Sequence, residues 1–155
     1  MTLQNGNHGN DEIREVYADM SNKTAGNAFE REFCDILSHN GFWAHILQDN
    51  RNGQPFDIIS AKDGNTLVFD CKVCEAGRFY LSRMEGNQIS AMERWEACGN
   101  GEGAFAIKFL RTGNIYIVLF RELMKARKAG TRSLSESDLK KRSIKEFTGH
   151  GTDYQ

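Results

Sequence analysis

The chain predicts an α/β fold with a mixed sheet against at least two helices. Three patterns carry that reading: two β-rich segments joined by Asp63-Gly64-Asn65, two more around Thr112-Gly113-Asn114, and helical apolar spacing before and between the pairs. At 155 residues the chain has the size of one domain. Apolar residues make up 39% and charged residues 26%, which fits a globular protein and excludes wholesale disorder, collagen-like repeats and fibrous architecture.

The elements follow in order. Residues 1–24 are rich in Asn, Gly and acidic residues and read as a flexible N-terminal arm. Asn27 is a good N-cap type; Phe29, Phe33, Ile36 and Leu37 then recur at helical spacing until Asn40-Gly41, so a helix is expected over 28–39. A strand over 42–47 and a polar loop over 48–54 lead to the chain's one proline, Pro55. Strands over 56–61 and 66–73 should be antiparallel neighbours, because Asp-Gly between apolar runs is a strong hairpin signal. A second helix is expected over 84–98, stopped by Gly99-Asn100-Gly101. Strands over 103–110 and 115–120 and a short helix over 121–128 complete a domain over 25–130, followed by a basic tail over 131–155.

Net charge is −1, but it is unevenly placed: residues 1–107 carry net −7 and residues 108–155 net +6. The basic stretch from Lys125 through Lys140, Lys141, Arg142 and Lys145 suits either a phosphate backbone or plain solvent. The apolar runs are too short to span a bilayer, and the polar start lacks a secretory pattern, so a cytoplasmic protein without a membrane partner is expected. Cysteines in that compartment stay reduced. Cys71 and Cys74 form a CxxC with no second ligand pair, which reads as two packed thiols more readily than as a metal or redox site.

The chemistry concentrates on two strands. Period-two alternation puts Leu67, Phe69, Cys71 and Val73 on one face and Val68, Asp70 and Lys72 on the other, so Asp70 and Lys72 lie side by side. Asp57 interrupts the apolar run Pro55-Phe56-Asp57-Ile58-Ile59, where a charge is costly unless partnered. Two carboxylates on adjacent strands with a lysine beside them offer hard oxygen ligands for Mg²⁺ or Mn²⁺ and a cation for developing phosphate charge. The plainer alternatives are an exposed Asp70–Lys72 ion pair and an Asp57 that caps the hairpin.

These residues, with Gly26-Asn27-Ala28-Phe29-Glu30-Arg31 before them and Asn87-Gln88 after them, resemble the PD-(D/E)xK nuclease superfamily, and within it the Holliday junction resolvases of the archaeal and RecU-type groups. The resemblance covers about residues 23–124; one departure is that Pro55 precedes Asp57 by two positions. It implies a restriction-endonuclease-like mixed β-sheet flanked by helices, and a metal-dependent endonuclease that hydrolyses phosphodiester bonds in branched DNA. Asp57 and Asp70 would bind Mg²⁺ or Mn²⁺, with the Cys71 backbone carbonyl as a further oxygen and Glu30 joining directly or through water. Lys72 would activate the attacking water or steady the transition state, and Gln88 would position water or phosphate. Glu32 is the rival to Glu30, about 200° away round the helix.

Lys23, Arg31, Arg51, Arg78 and Arg83 flank the site in sequence and are candidates for DNA contacts. The resemblance also implies a homodimer, whose two-fold axis would match that of a four-way junction. Phe79, Tyr80, Ile115, Ile117 and Leu119 suit either its interface or the core. So short an enzyme would suit a phage acting in its host's cytoplasm. The alternatives are a superfamily endonuclease that cuts ordinary duplex DNA, of restriction or repair type, and a DNA-binding module that keeps the fold without the chemistry.

Overall fold

A computed structural model of the chain describes residues 22–48, 53–142, 144, 146 and 147. Helix α1 (Asn22–His39) is followed by strands β1 (Trp43–Ile46), β2 (Ile58–Lys62), β3 (Asn65–Cys74) and β4 (Arg78–Tyr80), then a 3₁₀ turn (Leu81–Arg83) and helix α2 (Gly86–Ala97). Strands β5 (Ala104–Phe109) and β6 (Ile115–Leu119), helix α3 (Phe120–Lys128), strand β7 (Ser133–Ser135), helix α4 (Glu136–Lys141) and the two-residue strand β8 (Glu146–Phe147) complete it. The main sheet runs β1-β2-β3-β5-β6-β8; β4 and β7 pair separately. Only the β3–β5 pair is parallel. A parallel pair needs a crossover, and α2 lies within it.

The hairpin at Asp63-Gly64 forms as expected. Lys62 pairs with Asn65 across a two-residue loop, and Asp63 (φ 52°) and Gly64 (φ 79°) both take the left-handed conformation that such a turn requires. Phe29, Phe33 and Leu37, spaced four apart, are buried and lay α1 on one face of the sheet against Ile58, Phe69 and Ala106. Phe33 meets Phe69 edge to face at 5.1 Å. The other face is covered by α2, α3, the β4–β7 ribbon and α4, through Met92, Leu123, Phe79, Leu134 and Leu139. Gly103 enters β5 under α2, where an added Cβ would collide with the Met92 sulfur and press on Val68. Gly103→Ala should therefore cost about 1–3 kcal/mol, read as a lower melting temperature; an unchanged melting temperature would mean that Met92 yields freely.

Two expectations need correction. α1 starts at Asn22, six residues before 28, and Asn27 is interior rather than a cap; Ala25, only 2% exposed, extends the buried stripe backward and outweighs the propensity of Gly26 and Asn27. Its other end follows expectation: Gly41 (φ 83°) lets the Phe42 N–H bond to the Leu37 carbonyl. The basic segment after residue 130 is part of the fold wherever it is described. Leu134 and Leu139 are buried, and Glu136 accepts hydrogen bonds from Thr112, Asn114 and Tyr116 at 2.9–3.0 Å. Among the suggested interface residues, Phe79 and Ile115 belong to the core, whereas Tyr80 and Leu119 are about half exposed. The N-terminal residues 1–21, Arg51 and Lys145 lie outside the described residues.

Candidate active site

Asp57 stands one residue ahead of β2. Its N–H donates to the Phe69 carbonyl (3.0 Å) and its carbonyl accepts from the Leu47 N–H (2.9 Å), which fixes the backbone on both sides. The carboxylate then reaches across to β3, where Oδ2 accepts from the Cys71 N–H at 2.6 Å and Oδ1 from Gln54 Nε2 at 2.5 Å. On β3, Asp70 is 2% exposed, and its Oδ1 forms an ion pair with Lys72 Nζ at 2.9 Å. Lys72 Nζ also donates to Gln88 Oε1 (3.1 Å). The same Gln88 oxygen accepts from the Glu85 N–H, closing a capping box that starts α2 and holds the amide in place. The alternation along β3 is therefore as expected: Asp70 and Lys72 share a face, and Leu67, Phe69, Cys71 and Val73 turn toward α1.

Burial, and then the charge of Asp57, push the Asp70 carboxyl up to about 6, even though Lys72 and its hydrogen bond pull it back. Burial also raises the Cys71 thiol, and Asp57, Asp70 and Glu30 push it the same way, so three carboxylates bear on this one point. Cys71 and Cys74 face opposite sides of the sheet, and both thiols are raised, Cys74 to about 11, which leaves them protonated and packed.

A cavity of about 690 Å³ opens over these residues. Its walls include Glu30, Asp57, Cys71, Lys72 and Gln88, together with Lys23, Arg78 and Arg83. Asp70, buried and paired with Lys72, is not among the wall residues. Of the two glutamates on α1, Glu30 lines the cavity, whereas Glu32 Oε2 pairs with the buried Lys108 Nζ at 2.6 Å. Arg31 is exposed and is not part of the wall; its Nε bonds back to the Asn27 carbonyl. Arg83 lines the cavity but spends one donor on the Val73 carbonyl at 2.6 Å.

Sequence reasoning passed over Gln54, which sits on the cavity wall and orients Asp57. An ionised carboxylate only accepts, so the amide must turn its nitrogen to Asp57, and its oxygen is left facing elsewhere. This oxygen, Gln54 Oε1, is buried without a hydrogen-bond partner among the described residues. The local signal was slight: a polar side chain three positions before the aspartate.

The donor set suits a hard divalent cation. Two neighbouring carboxylates, one of them raised by burial and then by the other's charge, supply the hard oxygens that such a cation takes. Among the described residues no group of three or more His, Cys, Asp or Glu side chains is placed to hold a metal ion by itself. No helix among the described residues is long and apolar enough to cross a membrane.

Comparison with known proteins converges on one family. The family model described as archaeal Holliday junction resolvase (Hjc) matches residues 21–148. A crossover junction endodeoxyribonuclease Hjc from Methanocaldococcus jannaschii is 31% identical over 84 residues, which span 54% of this chain and 59% of that protein's length. The structure of Archaeoglobus fulgidus Hjc, a Holliday junction resolvase from an archaeal hyperthermophile, superposes with a TM-score of 0.55 at 19% identity, covering 73% of this chain and 90% of that one. With the mixed sheet, its flanking helices and the paired aspartates in place, the family match over most of the chain is decisive: the chain belongs to the archaeal Holliday junction resolvase family of the PD-(D/E)xK nuclease superfamily.

Proposed function

We propose that this chain is a metal-dependent endodeoxyribonuclease that cuts four-way DNA junctions by hydrolysing phosphodiester bonds at the Asp57–Asp70–Lys72 site. The observation that carries the reading is Asp57 and Lys72 on one cavity wall, with buried Asp70 paired to Lys72 and within the field of Asp57, in a member of this family. Asp57 and Asp70 would hold Mg²⁺ or Mn²⁺, with the Cys71 carbonyl as a further oxygen and Glu30 joining directly or through water, in keeping with the water-rich coordination of Mg²⁺. A bound cation supplies charge neutralisation for the phosphate and acidity for the attacking water.

The remaining work falls to the chain itself. Lys72, held by Asp70 and Gln88, points its ammonium at the scissile phosphate, orients the water and steadies the negative charge that grows as the water oxygen bonds phosphorus and the ester oxygen leaves. Gln88 serves chiefly by positioning Lys72. Lys23, Arg78 and Arg83 on the cavity wall meet the DNA backbone, with Arg51, outside the described residues, as a further candidate; Arg31, off the wall, is the weakest of the proposed contacts. Two copies related by a two-fold axis would cut opposing strands of the junction, acting in the cytoplasm. The relatives named above are archaeal proteins, and none points to a phage.

Cleavage of a labelled four-way junction and of a linear duplex of the same sequence, each with Mg²⁺ and with chelator, tests the proposal. The junction should be cut only with the cation and much faster than the duplex. Equal rates on both substrates would make the protein a general duplex nuclease, and binding without any cleavage would make it a DNA-binding module.

Gln54 provides a finer test. Groups that orient metal ligands typically contribute 10- to 100-fold to metal affinity or activity. Gln54→Leu should accordingly weaken Mn²⁺ binding by calorimetry about 10-fold and slow cleavage with it. Wild-type Mn²⁺ affinity in the variant would remove Gln54 from the site.

A further inference from the structure

A second concavity, of about 470 Å³, lies between the β4–β7 ribbon and α4, lined by Arg78, Ser133, Asp138, Lys141 and Arg142, with Thr131 and Leu134 at its base. Arg78 belongs to the walls of both cavities, so the groove continues the catalytic cleft. We propose that this groove holds the sugar-phosphate backbone of one duplex arm of the substrate, beyond the phosphate that is cut. The inference rests on the nuclease reading above and adds to it a second point of contact, built by the C-terminal segment.

Three observations carry it. The first is charge: three cations face one carboxylate along the groove. Lys141 and Arg142 are exposed and close no ion pair among the described residues, so their charge remains available to an anion. The second is that the carboxylate present is already engaged. Asp138 accepts from the Ser135 N–H and hydroxyl at 2.9 Å, which, with Arg78 and Lys141 nearby, holds it below its ordinary range. It anchors Arg78 at 3.4 Å, while Arg78 Nε donates to Ser133 Oγ at 2.7 Å, so the guanidinium is held in the groove instead of roaming in solvent. The third is rigidity. Leu134, Leu139 and the Glu136 hydrogen bonds tie β7 and α4 to the core, so Lys141 and Arg142 keep a fixed place relative to Lys72. Phosphate recognition needs only fixed cations and donors, and a DNA backbone is a polyanion long enough to reach both cavities at once.

Deleting the C-terminal segment is not a clean test, because it removes buried Leu134 and Leu139 and unfolds part of the core. Lys141→Gln/Arg142→Gln changes only exposed groups, and Arg94→Gln/Arg121→Gln removes the same net charge elsewhere on the surface. Affinity for a fluorescent four-way junction is measured by anisotropy from 50 to 300 mM NaCl for the wild type and both variants. Each lost duplex phosphate contact lowers the slope of log affinity against log salt by about 0.9. The Lys141/Arg142 variant should bind more weakly and lose about 2 from the slope, while the Arg94/Arg121 variant keeps the wild-type slope. Equal slopes in all three proteins, or equal losses in both variants, would overturn the groove while leaving the nuclease reading intact. Failure of the wild type to bind the junction would overturn both.

Discussion

Replacing Asp70 with Asn should lower junction cleavage by roughly three orders of magnitude or more, while binding of the junction should persist. The substitution keeps the volume of the side chain and removes the charge that, with Asp57, makes the site attractive to a divalent cation. Metal assistance contributes several kcal/mol to phosphodiester hydrolysis, and each 1.36 kcal/mol is a factor of about ten in rate. The DNA contacts proposed above, Lys23, Arg78 and Arg83, should survive, and loss of a negative charge from the cleft should reduce repulsion of phosphate. Single-turnover cleavage of a labelled junction and its binding by anisotropy, measured on one preparation, separate the two effects. Wild-type turnover in Asp70→Asn would take Asp70 out of the mechanism.

The same substitution should make the metal-free protein more stable at neutral pH. Asp70 has an ordinary value of 3.8 and is raised to about 6 in the fold, so the native state holds its proton more tightly than the unfolded chain does. A raised carboxyl weakens the fold as pH climbs through the interval from about 4 to 6, and its full cost is present above it. Two units correspond to about 3 kcal/mol as an upper bound for this nearly fully buried group. Asn mimics the protonated form, so Asp70→Asn should melt several degrees above the wild type at pH 7.5 in chelator, with the gap closing by pH 4. Mg²⁺ should raise the wild-type melting temperature and leave that of the variant nearly unmoved. A variant that melts below the wild type at pH 7.5 would show that the Lys72 ion pair outweighs burial and the repulsion from Asp57.

How far the sequence reaches can be seen at particular positions. The turn at Asp63-Gly64 is legible because two consecutive left-handed residues restrict the choice of side chain. Asp57, Asp70 and Lys72 stand out because charges on otherwise apolar strands need partners, and period-two alternation puts Asp70 and Lys72 on one face. Other features depend on distant partners. Glu30 is separated from Glu32 only by Lys108, 76 residues beyond Glu32, and Gln54 gains its role only when β2 and β3 bring Asp57 over Cys71. The three-residue strands β4 and β7 are too short to show a period, and their pairing spans more than fifty residues. A readable signal was passed over nearby: Ser135 and Asp138 form a reciprocal cap that starts α4, a spacing that marks a helix within the basic segment.

The central claim is that the paired aspartates serve a metal-dependent cut at a DNA branch. The measurement that reaches it most directly is a map of the cuts in a four-way junction whose four strands are labelled one at a time, with Mn²⁺ present, for the wild type and for Asp57→Asn. The account predicts wild-type cuts in two opposing strands at positions related by the junction's two-fold axis, none in chelator, and none from the variant. Cuts scattered along the arms as in a linear duplex, or an unchanged pattern from Asp57→Asn, would contradict it.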